Sequence, residues 1–309
     1  MRNEDLFSSS VHLSLTERGF AARFVSFERV GELKDAIEEA HSDKLFDEEF
    51  YHYLRPWFDF TTPAELPDAR SVIIVASSHP ALKVTFTVNG QPRETIVPPT
   101  YTYGTDEEAC ECLTEVLNPR GYWVVKARVP EKLLAVRSGL ARYGKNNIAY
   151  VRGMGSFHRL TTFYTNAPLF EQGWQEPRML DQCRTCTACV KKCPSGAIPT
   201  DRFLLRAEKC ITFHNESEAP FPEWIDPSWH NCLIGCMICQ NICPVNKPFV
   251  GRIVDEATFS EAETELILRN VPKDNLPPET QEKLECIGML EDFKPIPRNL
   301  RALLEACSL

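Results

Sequence analysis

Cys183, Cys186, Cys189 and Cys193-Pro194 follow one another as C-x2-C-x2-C-x3-C-P, and Cys236, Cys239 and Cys243-Pro244 repeat most of that spacing downstream as C-x2-C-x3-C-P. Both are iron–sulfur ligand runs. Two-residue gaps let a tightly curved loop turn successive thiolates toward one cuboidal cluster. The x3-C-P step carries the last Cys away, and in chains with two clusters that fourth ligand serves the other one. With crossing, Cys183, Cys186, Cys189 and Cys243 hold one 4Fe-4S cluster. Cys193, Cys236 and Cys239 hold the second, which needs one more thiolate. Either Cys210, in Lys209-Cys210-Ile211-Thr212, or Cys232, four residues before Cys236, supplies it, and spacing alone does not choose. Zinc knuckles are the poorer reading, because structural zinc sites take four ligands as two close pairs rather than from two interleaved C-P runs.

The rest of the 309-residue chain must hold this stretch in place. At 43% hydrophobic it is long enough for one large domain with appendages or for two domains. Thirteen cysteines would suggest disulfides in a secreted protein, but Met1-Arg2-Asn3-Glu4-Asp5-Leu6 lacks a basic start followed by an apolar core, so a reducing cytoplasm is expected. No apolar run approaches the roughly 20 residues of a membrane span. The net charge of -9 gives no global attraction for a polyanion, and the local basic residues Arg137, Arg142 and Lys145, or Lys191 and Lys192, read as solvated surface.

Along the chain, residues 7 to 40 read as helix, short strand and helix. Phe46, Phe50, Tyr51, Tyr53, Trp57, Phe58 and Phe60 read as core packing before a cofactor pocket. Ser71 to Ser78 is a continuous apolar run, as for a strand buried on both faces in mid-sheet. Lys83 to Val88 and Arg93 to Val97 flank Asn89-Gly90, a tight hairpin signature. Thr105 with Glu108 predicts a capping box for a helix whose Cys110 and Cys112 are packing residues. Tyr122 to Ala127 reads as a strand and Pro130 opens a helix that Gly144 ends. Asn147 to Val151 and Phe157 to Thr165 read as strands joined at Gly153-Met154-Gly155-Ser156. Beyond the clusters, Phe259 to Leu268, Pro278 to Leu290 and Asn299 to Leu309 read as helices, and Cys286 and Cys307 have no partners in spacing.

The segment from Arg137 through Ser138-Gly139-Leu140-Ala141-Arg142-Tyr143-Gly144-Lys145 to Asn146, with Gly155-Ser156, the run from Cys183 to Ile198, Lys209-Cys210-Ile211 and the run from Gly235 to Asn246, resembles the epoxyqueuosine reductase family over roughly residues 70 to 247. The resemblance implies an α/β (α+β) chain. A nitroreductase-like layered domain over 1–170 precedes a bacterial-ferredoxin-like double 4Fe-4S domain over 171–250 and a helical tail over 251–309. It further implies a cobalamin between the first two domains, as in the related reductive dehalogenases. Gly144, Lys145, Asn146, Gly155, Ser156 and Leu160 are the candidate cofactor-binding residues, and by similarity Cys210 rather than Cys232 completes the second cluster. The family's acidic proton donor, on the strand before the Gly-Leu helix, has no counterpart in Val124-Val125-Lys126-Ala127. Tyr101, Tyr103 and His158 are weaker candidates for its role, and no catalytic residue is assigned.

Two functions follow. In the first, an iron–sulfur oxidoreductase takes single electrons from a donor such as a ferredoxin or flavodoxin. It passes them through two 4Fe-4S clusters to cobalamin and reduces a small-molecule or protein-borne substrate; the missing acid and the acidic charge balance speak against tRNA. In the second, an electron-transfer or activator protein donates low-potential electrons to a partner's metal or corrinoid centre. A flavin in place of the corrinoid is also compatible with a nitroreductase-like fold.

Overall fold

The computed structural model of the chain describes residues 3–169 and 173–306. Cys307, with the end of the expected tail helix, lies outside the described residues. In chain order the elements are α1 (Asn3–Glu17), β1 (Phe20–Ser26), α2 (Arg29–Ser42), α3 (Glu48–Leu54), β2 (Ser71–Ser78), β3 (Ala81–Val88), β4 (Gln91–Val97), α4 (Gly104–Leu117), β5 (Val124–Lys126), α5 (Glu131–Arg137), β6 (Ala141–Tyr143), β7 (Ala149–Val151) and β8 (His158–Thr165). There follow α6 (Ala188–Lys192), α7 (Ile211–Glu216), α8 (Ile238–Asn241), β9 (Ile253–Phe259), α9 (Glu261–Leu268), α10 (Pro278–Cys286) and α11 (Ile296–Ala306). They fall into two units, each of two chain segments: residues 1–78 with 104–186, and residues 79–103 with 187–309.

The first unit is built on an antiparallel sheet in the order β1-β2-β8-β5. Its centre is the apolar run expected there. Side chains alternate along a strand, and both faces of β2 are covered. Val72, Ile74 and Ala76 join Val30 and Leu33 of α2 and Leu134 of α5 in one core. Ile73 and Val75 join Val11 and Leu15 of α1 and Leu113 of α4 in another. Cys112 is buried in that second core and Cys110 packs against it, as expected. The helix α4 begins at Gly104, so Thr105 lies inside it rather than at a cap; a capping box is found instead at Ser260 and Glu263, opening α9. Of the aromatics from Phe46 to Phe60, Phe60 packs against the first core, Tyr53 and Trp57 are exposed, and the others are part-exposed, with Tyr51 stacked on His41 at 3.6 Å between ring centroids.

The strands β7 and β8 do not form a hairpin ladder. Val151 and Gly155 close on each other's backbone between them, and β7 pairs with β6 while β8 enters the main sheet.

In the second unit the Asn89-Gly90 hairpin forms as expected, with positive φ at both turn residues, 51° and 70°. It was expected with the N-terminal layer but groups with the later segment, because β3 pairs in parallel with β9 in a β4-β3-β9 sheet. Phe86 and Phe259 lie opposite each other in that register and stack at 4.8 Å. Ile267, Leu284, Met289 and Leu300 cover the sheet. Asn299 on α11 is fully buried and donates Nδ2 to the carbonyls of Asn215 at 2.8 Å and Leu233 at 3.0 Å, tying the helix to the loops around the cysteines. Among the described residues, no helix is long and apolar enough to cross a membrane. Replacing Asn299→Ala strands two buried carbonyls, so a loss of about 2 kcal/mol is expected as a lowered urea midpoint; a midpoint equal to wild type would show that water replaces the amide without penalty.

Candidate functional site

Each cysteine run is built the same way. Cys189 lies in α6, which ends at Cys193 in extended backbone; Cys239 lies in α8, and Cys243 follows, also extended, before Pro244. Proline at that step forbids helical backbone just before it, so each chain turns out of its short helix at its last cysteine. The helices α6 and α8 pack on each other within the second unit. Cys210 sits in extended backbone just ahead of α7.

The thiols of Cys193, Cys210 and Cys236 are close enough to interact electrostatically. Burial pushes the Cys210 thiol up to about 11, and Cys236 and Cys193 add to the shift. Cys236 is raised too, chiefly by burial, although Asn231 Nδ2 donates to its Sγ at 3.3 Å. Cys232 behaves differently. It is 1% exposed, its Sγ donates to Asn231 Oδ1 at 3.1 Å, and Cys236 is the one cysteine that adds to its raised pKa. Cys210 and Cys236, in low dielectric, resist ionisation singly, and the positive charge of iron is what releases such protons. The donor set therefore fits a cluster. Among the described residues no three His, Cys, Asp or Glu side chains close on a point to hold a single ion; a cubane, whose iron corners stand apart, does not ask that of them.

Cys183 and Cys186 end the first unit. Cys183 is buried in a 3-10 turn over Asp181–Arg184, and Lys145 Nζ donates to the Cys186 carbonyl at 2.8 Å. Of the other candidate cofactor residues, Gly144 and Asn146 are buried; a Cβ on Gly144 would run into Asn146 Oδ1 and the Tyr150 ring. Gly155 (φ 58°) and Ser156 are buried in the tight turn after β7. Leu160 is in the sheet core, opposite Ala76. Tyr101 donates to Glu216, and Tyr103 to Asp292 at 2.5 Å, so both hydroxyls are committed within the second unit. His158 is buried and its pKa falls to about 4, by desolvation against a hydrogen bond to the Ala149 carbonyl.

A polar cluster that the local sequence does not announce lies in the first unit. Asp106 of α4 is 2% exposed and accepts from Lys126 Nζ at 2.5 Å, from Arg159 Nε and Nη2 at 2.6 and 2.7 Å, and from Thr161 Oγ1. Burial opposes its ionisation, but Arg159, Lys126 and Thr161 outweigh that and hold its pKa below the ordinary carboxylate range. Glu131, the first residue of α5, faces the same charges and accepts from the Thr162 backbone N–H. The residue is part-exposed, but its carboxyl is enclosed, and desolvation raises its pKa to about 8 against the pull of Arg159 and Lys126. A carboxylic acid that is protonated at neutral pH thus lies five residues after Lys126, beside the stretch that lacks an acid. The only signal in the sequence is Pro130-Glu131 at a helix start, which ordinarily marks an exposed acid near the helix N-terminus.

Residues 182–246 match the family model described as a 4Fe-4S double cluster binding domain. The chain is similar to epoxyqueuosine reductases. That of Cyclobacterium marinum is 33% identical over 177 residues, 53% of this chain and 56% of the relative. The epoxyqueuosine reductase structure from Bacillus subtilis superposes with a TM-score of 0.68 at 21% identity, covering 98% of this chain and 82% of that one. An epoxyqueuosine reductase solved with an epoxyqueuosine-modified tRNA stem loop gives the same TM-score, identity and coverage. The fold is therefore that of the epoxyqueuosine reductases, while the matched stretch spans about half the length of the Cyclobacterium relative.

Glu131 carries a pH signature. Its folded pKa lies above its unfolded value, so between about pH 4.5 and 8 the native protein keeps a proton that the unfolded chain releases, and stability falls as pH rises through that window. Glu131→Gln is expected to flatten this fall by on the order of 1–3 kcal/mol, less than the full shift because the residue is part-exposed; identical stability–pH curves for variant and wild type would remove Glu131 as the proton holder.

Proposed function

We propose that the chain is a corrinoid-dependent iron–sulfur reductase of the epoxyqueuosine reductase type, acting on an epoxide, with tRNA-borne epoxyqueuosine the first substrate to test. Cys183, Cys186, Cys189 and Cys243 hold one 4Fe-4S cluster, and Cys193, Cys210, Cys236 and Cys239 the other. The relatives' names and the neighbour solved with a tRNA stem loop support the substrate class. One observation carries the enzymatic reading: Glu131, a carboxyl that burial keeps protonated at neutral pH near Arg159, Lys126 and Asp106 in the first unit.

Reduction of an epoxide to an alkene consumes two electrons and two protons and releases the oxygen as water. Bound clusters supply electrons one at a time, and a corrinoid supplies low-valent cobalt. This chain supplies the proton. While Glu131 holds it, Lys126 and Arg159 outnumber Asp106 in charge; once it leaves, the four groups balance, so release takes the group from net positive to neutral. The first unit has hydrogen-bonding capacity that fits the carboxamide rim of a corrinoid. The buried Asn147 Nδ2 and His158 Nδ1 have no partner among the described residues, one a donor and the other an acceptor, since Nε2–H of the neutral imidazole is used on Ala149. Gly144, Lys145, Asn146, Gly155, Ser156 and Leu160 stay the residues proposed to lie toward it.

The alternative, an electron-transfer or activator protein, rests on Lys126, a cation bound to Asp106 where the resemblance implies an acid. Protein purified anaerobically with cobalamin supplied separates the two: about eight irons with one cobalt, and loss of the epoxide from modified tRNA under reducing conditions, are expected. About eight irons with neither cobalt nor turnover would replace the reductase by the activator. In the same preparation Cys210→Ala is expected to lose about half the iron and Cys232→Ala none; equal iron in both would overturn the ligand set.

A further inference from the structure

Arg142, Arg178 and Arg184 surround a cavity of about 440 Å³ in the first unit, with Met179 and Asp181 completing its lining. Asp181 is shared: its carboxylate meets Arg142 Nη1 at 3.0 Å and Arg184 Nη2 at 3.5 Å. Arg178 is exposed and has no carboxylate within ion-pair distance among the described residues. Three guanidinium groups against one carboxylate leave the site net positive, in a chain whose total charge is -9. The reading of Arg142 as merely solvated surface does not account for this convergence.

The positions of these cations are set by backbone. Arg142 is the outward residue of β6, between the buried Ala141 and Tyr143. Tyr143 N–H donates to the Arg178 carbonyl at 2.9 Å, and Leu180 N–H to the Tyr143 carbonyl at 2.8 Å, so the strand carrying Arg142 and the segment carrying Arg178 form one platform. Cys183 N–H donates to the Leu180 carbonyl at 3.0 Å, which continues that platform directly into the turn holding Asp181, Cys183 and Arg184. The cationic cavity and the first cluster cysteines are parts of one local structure. Arginine suits such a site, because its planar fork meets carboxylates with two parallel hydrogen bonds.

From this juxtaposition we infer that the Arg142–Arg178–Arg184 cavity docks an acidic one-electron carrier protein and so forms the entrance for electrons into the cluster held by Cys183 and Cys186. Carboxylates on the carrier's surface enter the cavity and pair with Arg178 and, in exchange with Asp181, with Arg184. The carrier's reduced centre then loses one electron, and the [4Fe-4S]2+ cluster becomes [4Fe-4S]1+; no covalent bond changes and no proton moves. A protein is favoured over a nucleic acid because the cations form one compact cavity beside a redox ligand rather than an extended phosphate-spaced stripe. Small, charge-steered contacts are also the usual form of electron-transfer encounters.

The inference rests on the proposed cluster ligation but not on the substrate, and the test separates the two. The full-length, cluster-loaded protein is mixed in a stopped-flow instrument with an acidic flavodoxin in its hydroquinone state, and separately with dithionite. Wild type, Arg178→Glu and Arg178→Glu/Arg184→Glu are compared for iron content and for rate at several salt concentrations. The expected result is a flavodoxin rate that falls about tenfold or more in the double variant and substantially in Arg178→Glu, with the salt dependence of wild type lost, while iron and dithionite reduction are unchanged. Flavodoxin rates and salt slopes equal to wild type would overturn the docking site, as would unchanged flavodoxin rates with weakened RNA binding, which would make the cavity a nucleic-acid contact. Wild-type protein that carries no reducible cluster would instead overturn the ligation on which both proposals stand.

Discussion

Asp106 is almost entirely out of water, and the first unit is assembled so that its charge is tolerable there. An isolated carboxylate at that depth would neutralise itself or unfold its surroundings. It is kept ionised by Arg159 and Thr161, alternate residues on one face of β8, and by Lys126 at the end of β5. One side chain on α4 thereby fixes the helix against both strands that carry its partners. Glu131, whose carboxyl pKa is raised chiefly by its own desolvation, is pushed further the same way by the Asp106 charge.

The two units thus handle buried ionisable groups in opposite ways. In the first, protein cations keep one carboxylate ionised, while burial keeps the next protonated against their pull. In the second, Cys193, Cys210 and Cys236 are gathered with no cation among the described residues contributing to the raised pKa of Cys210 or Cys236, an arrangement that suits iron ligands. Asn231 mediates there, accepting from Cys232 and from the Met237 amide while donating to Cys236. An N–H aimed at a ligand sulfur stabilises the more negative, reduced cluster and so raises its potential.

What could be read from the sequence was local. The cysteine runs, the apolar Ser71–Ser78 strand and the Asn89-Gly90 turn each contain their own explanation within a few residues. What could not be read depends on partners far along the chain. Ile253 to Phe259, with Asp255 and Glu256 in its middle, has too polar a pattern to announce a strand, and it becomes one because β3 offers it a parallel edge. Glu131 looks like an ordinary acid at a helix start until Asp106, Lys126 and Arg159 are brought round it. The same reasoning applies to the arginines: Arg142 and Arg184 are unremarkable in sequence, and the bridge between Tyr143 and Met179 is what brings them to one cavity.

The chain passes between its units at residues 78/79, 103/104 and 186/187. During synthesis this means that the β3–β4 hairpin leaves the ribosome long before β9, with Leu82, Val84 and Phe86 on an edge that has no partner until Phe259 has been made. The first unit can close around its sheet in the meantime, while the second must wait with an apolar strand in the open, a situation that invites chaperone binding or premature pairing. It also restricts how such a protein can arise. A ferredoxin-like cassette excised from residue 187 onward would leave behind the strands on which its own core is built, so the cluster-bearing half of this chain cannot be exchanged as a contiguous gene segment.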